Sequence, residues 1–103
     1  MGNFVTVGKA SAVQPGTMAS FAVEGSSITV ANIDGALCAF GDACTHKGCS
    51  LAKGTLDGKS VVCPCHGGTF DVTTGQVLAG PPQAPVATYR VRAEGDDLQI
   101  ALG

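Results

Sequence analysis

Two short segments, residues 44–49 (CTHKGC) and residues 63–68 (CPCHGG), hold four of the five cysteines and both histidines of the chain. Each segment offers sulfur and imidazole ligands of the kind that proteins use to bind metals. A histidine is more often an ordinary surface or core residue than a ligand. Finding each histidine beside a cysteine in the same format is nevertheless improbable by chance. The two segments therefore predict a metal site.

Two cysteines and two histidines also satisfy tetrahedral zinc, so the ligand types alone do not identify the metal. Zinc fingers pair cysteine with cysteine and histidine with histidine, and the histidines usually lie on a helix. Here each segment supplies one residue of each type. A structural zinc module, which would be colourless, remains the less favoured alternative.

The rest of the chain indicates an all-β fold. Its 103 residues suit a single domain, and its 15 glycines and five prolines suit short strands joined by tight turns. Six pairs that end in glycine, at positions 16, 25, 35, 58, 75 and 95, supply the predicted turns. Alternating or β-branched runs predict strands at 4–7, 20–23, 28–33, 37–40, 60–63, 69–72, 88–93 and 98–102.

We expect an antiparallel β-sandwich or barrel over residues 1–103, with a metal-binding subdomain at about 41–70 built into it. Residues 41–54 and 79–85 do not fit a plain meander and are predicted to be functional loops.

The charge and hydropathy of the chain limit the classes of partner that it can bind. The net charge of −2 disfavours nucleic acid, and no basic cluster lies on a predicted strand. No apolar run is long enough to span a membrane, and no secretion signal is visible. We expect a soluble, cytoplasmic protein.

The two cysteine-rich segments resemble the cluster loops of the Rieske family. The resemblance extends to Phe70-Asp71, to Thr74-Gly75 and to the proline-rich residues 80–85, which resemble a loop that covers the cluster in relatives. It implies one 2Fe-2S cluster per chain. In that family the cysteines hold one iron and the histidines the other, which assigns Cys44 and Cys63 to the inner iron and His46 and His66 to the outer iron.

The remaining cysteines have different expected roles. Cys49 and Cys65 fall where some Rieske members carry a disulfide that bridges the two loops, and this resemblance implies the same bridge here. Two free thiols, which a reducing cytosol favours, are the alternative. Cys38 lies in an apolar stretch and is expected to be a small core residue.

The resemblance implies an electron carrier rather than an enzyme. The leading hypothesis is a monomeric ferredoxin that passes single electrons from a ferredoxin reductase to a terminal oxygenase or another redox enzyme. The alternative is the Rieske small subunit of a larger oxidoreductase, of the nitrite reductase or arsenite oxidase type. The predicted disulfide supports the alternative somewhat, because it is commoner in respiratory and arsenite oxidase relatives.

Two positions bear on the reduction potential. In high-potential respiratory members a serine follows the His-Gly pair and a tyrosine comes two residues later, and both donate hydroxyl hydrogen bonds to the cluster. This chain has Gly68 and Phe70 there. The resemblance therefore implies a potential below that of the respiratory group.

Lys47, Lys53 and Lys59 are either ordinary solvated charges or a basic rim for an acidic partner.

Overall fold

Ten short β-strands and two single turns of 3-10 helix make up the computed structural model of the chain. The structure describes residues 4–43, 48–65, 67–80 and 84–101. Within those ranges no helix is long and apolar enough to cross a membrane. The 3-10 turns are Ala10–Ala12 and Leu51–Lys53. The strands are β1 Phe4–Lys9, β2 Met18–Val23, β3 Ser26–Ile33, β4 Ala36–Gly41, β5 Thr55–Asp57, β6 Ser60–Val62, β7 Thr69–Asp71, β8 Val77–Ala79, β9 Thr88–Glu94 and β10 Asp97–Ala101.

Six strands form a nearly closed antiparallel sheet in the order β1-β10-β9-β4-β3-β2. The end strands β1 and β2 approach each other without pairing. A Cβ added to Gly8 in β1 would lie 2.8 Å from the ring of Phe21 in β2, so this ring packs directly on the β1 backbone. The predicted all-β antiparallel fold is confirmed, and we call this sheet the barrel.

Tight turns set the register of consecutive strands in the barrel. In the β2–β3 turn the φ angles of Glu24 and Gly25 are 49° and 84°, and in the β3–β4 turn those of Asp34 and Gly35 are 53° and 95°. Two consecutive residues with positive φ form the hairpin turn whose twist matches that of the flanking strands. All six predicted turn glycines have positive φ, namely those at positions 16, 25, 35, 58, 75 and 95.

A second sheet of four strands, in the order β5-β6-β7-β8, is built from the chain between β4 and β9. Strands β5 and β8 were not predicted, because three residues are too few to show a period of two. The eight predicted strands are present with ends shifted by one or two residues. The last predicted position, Leu102, lies outside the described residues.

The barrel has a core on each of its two faces. Ile28 and Val30 of β3 point into the barrel and pack with Val13, Leu98 and Ile100. Successive residues of a strand point to opposite faces, so Ala31 of β3 points the other way, as Phe40 of β4 does. There they pack against residues of the second sheet and its loops, namely Leu51, Val61, Cys63, Phe70, Val72 and Val86. The second sheet is therefore fixed to the outside of β3 and β4.

Candidate metal centre

The structure describes only part of the predicted ligand set. Cys63 is described, as are Cys49 and Cys65. Cys44, His46 and His66 lie outside the described residues, together with Lys47 and residues 81–83. The geometry of the centre is therefore built from Cys63 and from the described chain on either side of the other three positions. We call residues 43–50 the first loop and residues 63–68 the second loop.

The second loop is a closed turn between β6 and β7. The backbone N–H of Cys63 donates to the carbonyl of Gly68 at 2.7 Å, and the N–H of Gly67 donates back to the carbonyl of Cys63 at 3.2 Å. Gly67 has a φ of 72°, a conformation that an L side chain rarely adopts. These two hydrogen bonds fix the ends of the loop to each other.

Strand alternation gives Cys63 a buried, apolar setting. Val61 pairs with Phe70 across the β6–β7 ladder, so the two side chains share one face. Cys63, two residues after Val61, and Gly68, two residues before Phe70, lie on the same face. All four residues are buried, and Cys63 is 3% exposed. The thiol therefore lies in the core between the two sheets, shielded from water.

The first loop is closed at its base in a similar way. Ala43 and Ser50 form an antiparallel bridge. Just outside this bridge, the N–H of Leu51 donates to the carbonyl of Asp42 at 2.7 Å. Gly48 has a φ of 76°, which allows the chain to turn back toward Cys49. The described backbone at the base of the first loop is thus held by one bridge and one hydrogen bond.

A disulfide between Cys49 and Cys65 joins the two loops, with Cα atoms 6.5 Å apart. The predicted bridge is confirmed, and the alternative of two free thiols at these positions is not what the structure shows. The three sulfur atoms of Cys49, Cys63 and Cys65 lie within 4.8 Å of one another. Since two of them are bonded to each other, only Cys63 in this group can bind a metal as a thiolate.

These features fit a cluster held by one thiolate and one imidazole from each loop. Among the described residues the free cysteines are Cys38 and Cys63. Cys38 lies in β4, in the barrel, where burial raises the pKa of its thiol and Asp71 raises it further. Cys63 begins the second loop beside the disulfide, and the sequence places Cys44 and His46 in the first loop to which that disulfide is bonded.

The start of the proline-rich segment lies directly on the second loop. A Cβ added to Gly80 would lie 2.8 Å from the Cα of Gly68, and Gly80 has a φ of 93°. Only glycine fits so close an approach in that conformation. That residues 80–85 cover the centre stays a prediction. Residues 81–83 themselves lie outside the described residues.

Asp42 is a buried carboxylate at the base of the first loop that the sequence analysis did not single out. It is 7% exposed, and its side chain accepts hydrogen bonds from Thr29, Ser50, Ala52 and Ser27. Burial raises the pKa of Asp42, but the hydrogen bonds outweigh burial and hold it below its usual value. Its only sequence signal is an acidic residue between an apolar strand and a cysteine, which is equally typical of an exposed turn.

The described surface near the second loop includes one large exposed hydrophobic side chain, Leu78, which is 54% exposed. It lies in edge strand β8, where Thr69 pairs with Ala79 and Phe70 pairs with Val77, so Leu78 is an extra, bulged residue. A bulge turns a side chain out of the regular ladder. Lys59 lies in the β5–β6 turn, at the end of β6 opposite Cys63.

Comparison with known proteins places this geometry in a family. The family model described as "Rieske [2Fe-2S] domain" matches residues 3–90. A cytochrome b6-f complex iron-sulfur subunit from Chlorobaculum thiosulfatiphilum is 38% identical over 94% of the chain, which spans about half (52%) of that protein. The ferredoxin component of the naphthalene 1,2-dioxygenase system from Pseudomonas aeruginosa is 33% identical, covering 87% of the chain and 86% of that protein.

A solved structure gives the same result. In a complex of reduced oxygenase and oxidized ferredoxin of carbazole 1,9a-dioxygenase, one chain superimposes with a TM-score of 0.88 at 34% identity. The match covers 95% of this chain and 92% of that one. The fold described above is therefore shared along nearly the whole length of both proteins.

Proposed function

Because this chain belongs to the Rieske [2Fe-2S] family, we propose that it is a ferredoxin that passes single electrons from a reductase to a terminal oxygenase. The family binds a 2Fe-2S cluster, which accepts and releases one electron at a time. The relatives that match in length as well as sequence are ferredoxin components of dioxygenase systems. The match over 86% and 82% of the length of two such components is the observation that favours a ferredoxin over a domain of a larger enzyme.

We propose that Cys44 and Cys63 bind one iron and His46 and His66 the other. The support from the structure is the buried free thiol of Cys63, placed next to a disulfide that fixes the first loop beside the second. Two thiolates balance the charge of the oxidised cluster when the histidines are neutral. Adding an electron to a neutral centre costs less electrostatic work than adding it to a dianion with four thiolates.

We also propose a domain organisation, an oligomeric state and a cellular location for the protein. Residues 1–103 form one Rieske domain, and residues 41–70 form its cluster-binding part. The free protein is a monomer in the cytoplasm, as a carrier that moves between a reductase and an oxygenase requires. Leu78 lies beside the loop that bears the proposed ligand His66, and its exposed side chain suits a transient apolar contact with such partners.

The cluster and its ligands are tested first. We expect purified protein to be red-brown, with two irons and two sulfides per chain and a reduced electron paramagnetic resonance (EPR) spectrum of low average g. Cys44→Ser and Cys63→Ser should lose the cluster, whereas Cys38→Ser, a change of the free thiol in the barrel, should keep it. His66→Cys should lower the potential or lose the cluster. Stoichiometric zinc without iron would contradict the proposal.

Electron delivery is tested in the naphthalene 1,2-dioxygenase system by replacing its ferredoxin component with this protein. We expect substrate oxidation well above the rate without any ferredoxin, and no oxidation with the cluster-free Cys63→Ser variant.

A second candidate function is a subunit of a larger complex, which the Cys49–Cys65 disulfide and the identity to the b6-f subunit favour. In that case the chain would purify only bound to another polypeptide.

A further inference from the structure

The carboxylate of Asp42 joins three separate parts of the chain at the base of the first loop. Its Oδ1 atom accepts hydrogen bonds from the hydroxyl of Thr29 at 2.6 Å, the hydroxyl of Ser50 at 2.9 Å and the N–H of Ala52 at 3.0 Å. Its Oδ2 atom accepts a longer bond from the hydroxyl of Ser27 at 3.4 Å. Thr29 and Ser27 belong to β3, whereas Ser50 ends the first loop and Ala52 lies in the 3-10 turn that follows it.

The backbone of Asp42 takes part in the same arrangement. Its N–H donates to the carbonyl of Ser27 at 3.1 Å, and its carbonyl accepts from the N–H of Leu51 at 2.7 Å. Both ends of the first loop are therefore tied to strand β3 of the barrel through this one residue. The next residues are Ala43 and the proposed ligand Cys44. A single residue therefore separates Asp42 from that proposed ligand.

Burying an ionised carboxylate is costly, and a neutral side chain with the same acceptor would avoid most of that cost. Hydrogen bonds to a charged group are roughly twice as strong as neutral ones, which offsets part of the cost. The negative charge of Asp42 also acts on the neighbouring metal centre through space. The Cα atoms of residues two apart lie within about 7 Å, so a fixed negative charge at Asp42 is close to the residue that binds the iron.

We propose that Asp42 is a positioning residue for the first loop and that its fixed negative charge lowers the reduction potential of the cluster. The inference rests on the proposed ligands Cys44 and His46. Thr29, Ser50 and Ala52 hold the carboxylate, and the carboxylate holds the loop. An added electron is disfavoured because it is placed near a charge of the same sign in a poorly screened environment.

Two substitutions separate the hydrogen bonds from the charge. Asp42→Asn keeps an oxygen for the three bonds to Oδ1, and its new NH2 group can donate to the hydroxyl of Ser27. It therefore removes the charge and keeps the network. Asp42→Ala removes both. The matched control is Asp96→Asn, which changes the net charge equally in the β9–β10 turn, where Asp96 accepts hydrogen bonds from Ser11.

The control lies far from the first loop. Strand β9 begins beside Phe40, at the end of β4 that leads into the loop, and runs from Thr88 to Glu94 before the turn. At about 3.3 Å per residue, the turn is about 20 Å from that point. At that separation salt screens the interaction of an exposed charge almost completely.

We expect Asp42→Asn to retain wild-type iron and EPR spectrum and to have a higher potential. Unit charges on the order of 10 Å apart, at effective dielectric constants of about 20 to 80, change the equilibrium constant for reduction by about 2-fold to 20-fold. Tenfold corresponds to about 59 mV for one electron. Asp96→Asn should leave the potential unchanged. Film voltammetry at one pH and ionic strength measures all three proteins.

We expect Asp42→Ala to lose its cluster to a chelator at least about tenfold faster than wild type and to show a broadened EPR spectrum, both rescued in Asp42→Asn. If Asp42→Ala does not fold, Thr29→Val, which removes the shortest bond and suits a central strand, should show faster cluster loss.

An unchanged potential in Asp42→Asn would overturn the electrostatic part of the inference. Wild-type cluster retention in Asp42→Ala, or in Thr29→Val where that variant replaces it, would overturn the positioning part. Loss of iron from Asp42→Asn would overturn the assignment of the holding role to the hydrogen bonds at Oδ1. Failure of the proposed ligand set is seen separately, because the wild-type protein would then lack the Rieske EPR spectrum. Failure of the proposed electron transfer is also seen separately, because wild-type protein with an intact cluster would then give no substrate oxidation in the naphthalene 1,2-dioxygenase assay.

Discussion

Gly68 and Phe70 lie on the same buried face of the β6–β7 hairpin as Cys63. Phe70 is fully buried, and its cross-strand partner Val61 lies two residues before Cys63. A hydroxyl group introduced at position 68 or 70 would therefore enter the apolar core around Cys63 rather than water. In such surroundings a new hydrogen bond to a charged acceptor is stronger than at the surface.

We expect Gly68→Ser combined with Phe70→Tyr to raise the reduction potential by roughly 50 to 150 mV. If each new bond favours the reduced state by about 1 kcal/mol, each contributes about 40 mV. The wild-type potential should lie below that of the respiratory members. Film voltammetry at pH 7 on the single and double variants measures the shift. A double variant that keeps its cluster with an unchanged potential would show that other groups set the potential.

Asp71 at the end of β7 caps the turn that leads to β8. Its Oδ1 accepts hydrogen bonds from the hydroxyl and N–H of Thr73 and from the N–H of Thr74. The Thr73 hydroxyl bond is the largest cause that lowers the pKa of Asp71 below its usual value, followed by the N–H of Thr73. The ionised side chain is therefore the form that stabilises the turn.

We expect Asp71→Asn to lower the free energy of unfolding by about 1 kcal/mol at pH 7. A lowered folded-state pKa means that the contribution is fully present above the unfolded pKa of about 3.9 and is lost as pH falls through the folded value. The difference between variant and wild type should be constant from pH 8 to 5 and shrink below about pH 4. Denaturant unfolding of cluster-free protein measures it, and a difference that does not change with pH would contradict the assignment.

At the scale of single residues, the sequence was informative where a residue type is itself the signal. The disulfide followed from the positions of Cys49 and Cys65 relative to family loops, and the structure contains it. Asp42 could not be found in this way. Its burial depends on donors from β3 and from the end of the first loop, which become neighbours only after folding.

Among the elements, the disulfide is the covalent link between two loops whose described ends are otherwise closed by hydrogen bonds. It joins residues 16 apart in sequence. Cross-linking a loop of about this length restricts the unfolded chain and is worth about 3 kcal/mol in the chain-entropy model. The second loop thereby fixes the position of the first.

We expect Cys49→Ser combined with Cys65→Ser to lower the free energy of unfolding of the cluster-free protein by about 3 kcal/mol. Guanidinium denaturation measures this change. Cys38→Ser is the control, since it replaces a half-buried free thiol in β4 and should cost much less. If the double variant unfolded at the wild-type midpoint, the bridge would not constrain the unfolded chain.

Strand lengths explain which elements could be predicted. The longer strands alternate buried and exposed residues or carry β-branched runs, and turn glycines mark their ends. Strands β5 and β8 have three residues each, and β8 is interrupted by the bulge at Leu78. The pairing of β4 with β9 could not be predicted, because it joins strands distant in sequence through only two residue pairs, Ala39–Tyr89 and Phe40–Thr88.

On the scale of the whole molecule, the core inside the barrel and the core between the two sheets are built from different parts of the chain. The buried residues inside the barrel all come from the segments before the first loop and after the proline-rich segment. The core between the sheets includes Leu51, Cys63 and Phe70, which lie in or next to the cluster loops. Loss of the cluster should therefore destabilise the core between the sheets before the core inside the barrel.

We expect hydrogen exchange in the cluster-free protein to leave β2, β3, β9 and β10 as protected as in the loaded protein. Protection should fall in the two loops and in β6 and β7. Mass spectrometry of peptides from both forms measures this, with the disulfide intact in each. Uniform loss of protection across the barrel would mean that the barrel does not fold independently of the cluster.

The position of the second sheet within the chain has a further consequence. Phe40 pairs with Thr88, and the N–H of Gly41 donates to the carbonyl of Ala87 at 2.9 Å, so residues 42–87 leave and rejoin the barrel at adjacent points. Neighbouring strands are about 4.8 Å apart, a gap that a short turn closes. An insert with adjacent ends can be replaced without rerouting its host. Residues 42–87 are in this sense a single insertion between two paired strands, and any replacement would also have to cover Ala31 and Phe40, which this insertion buries.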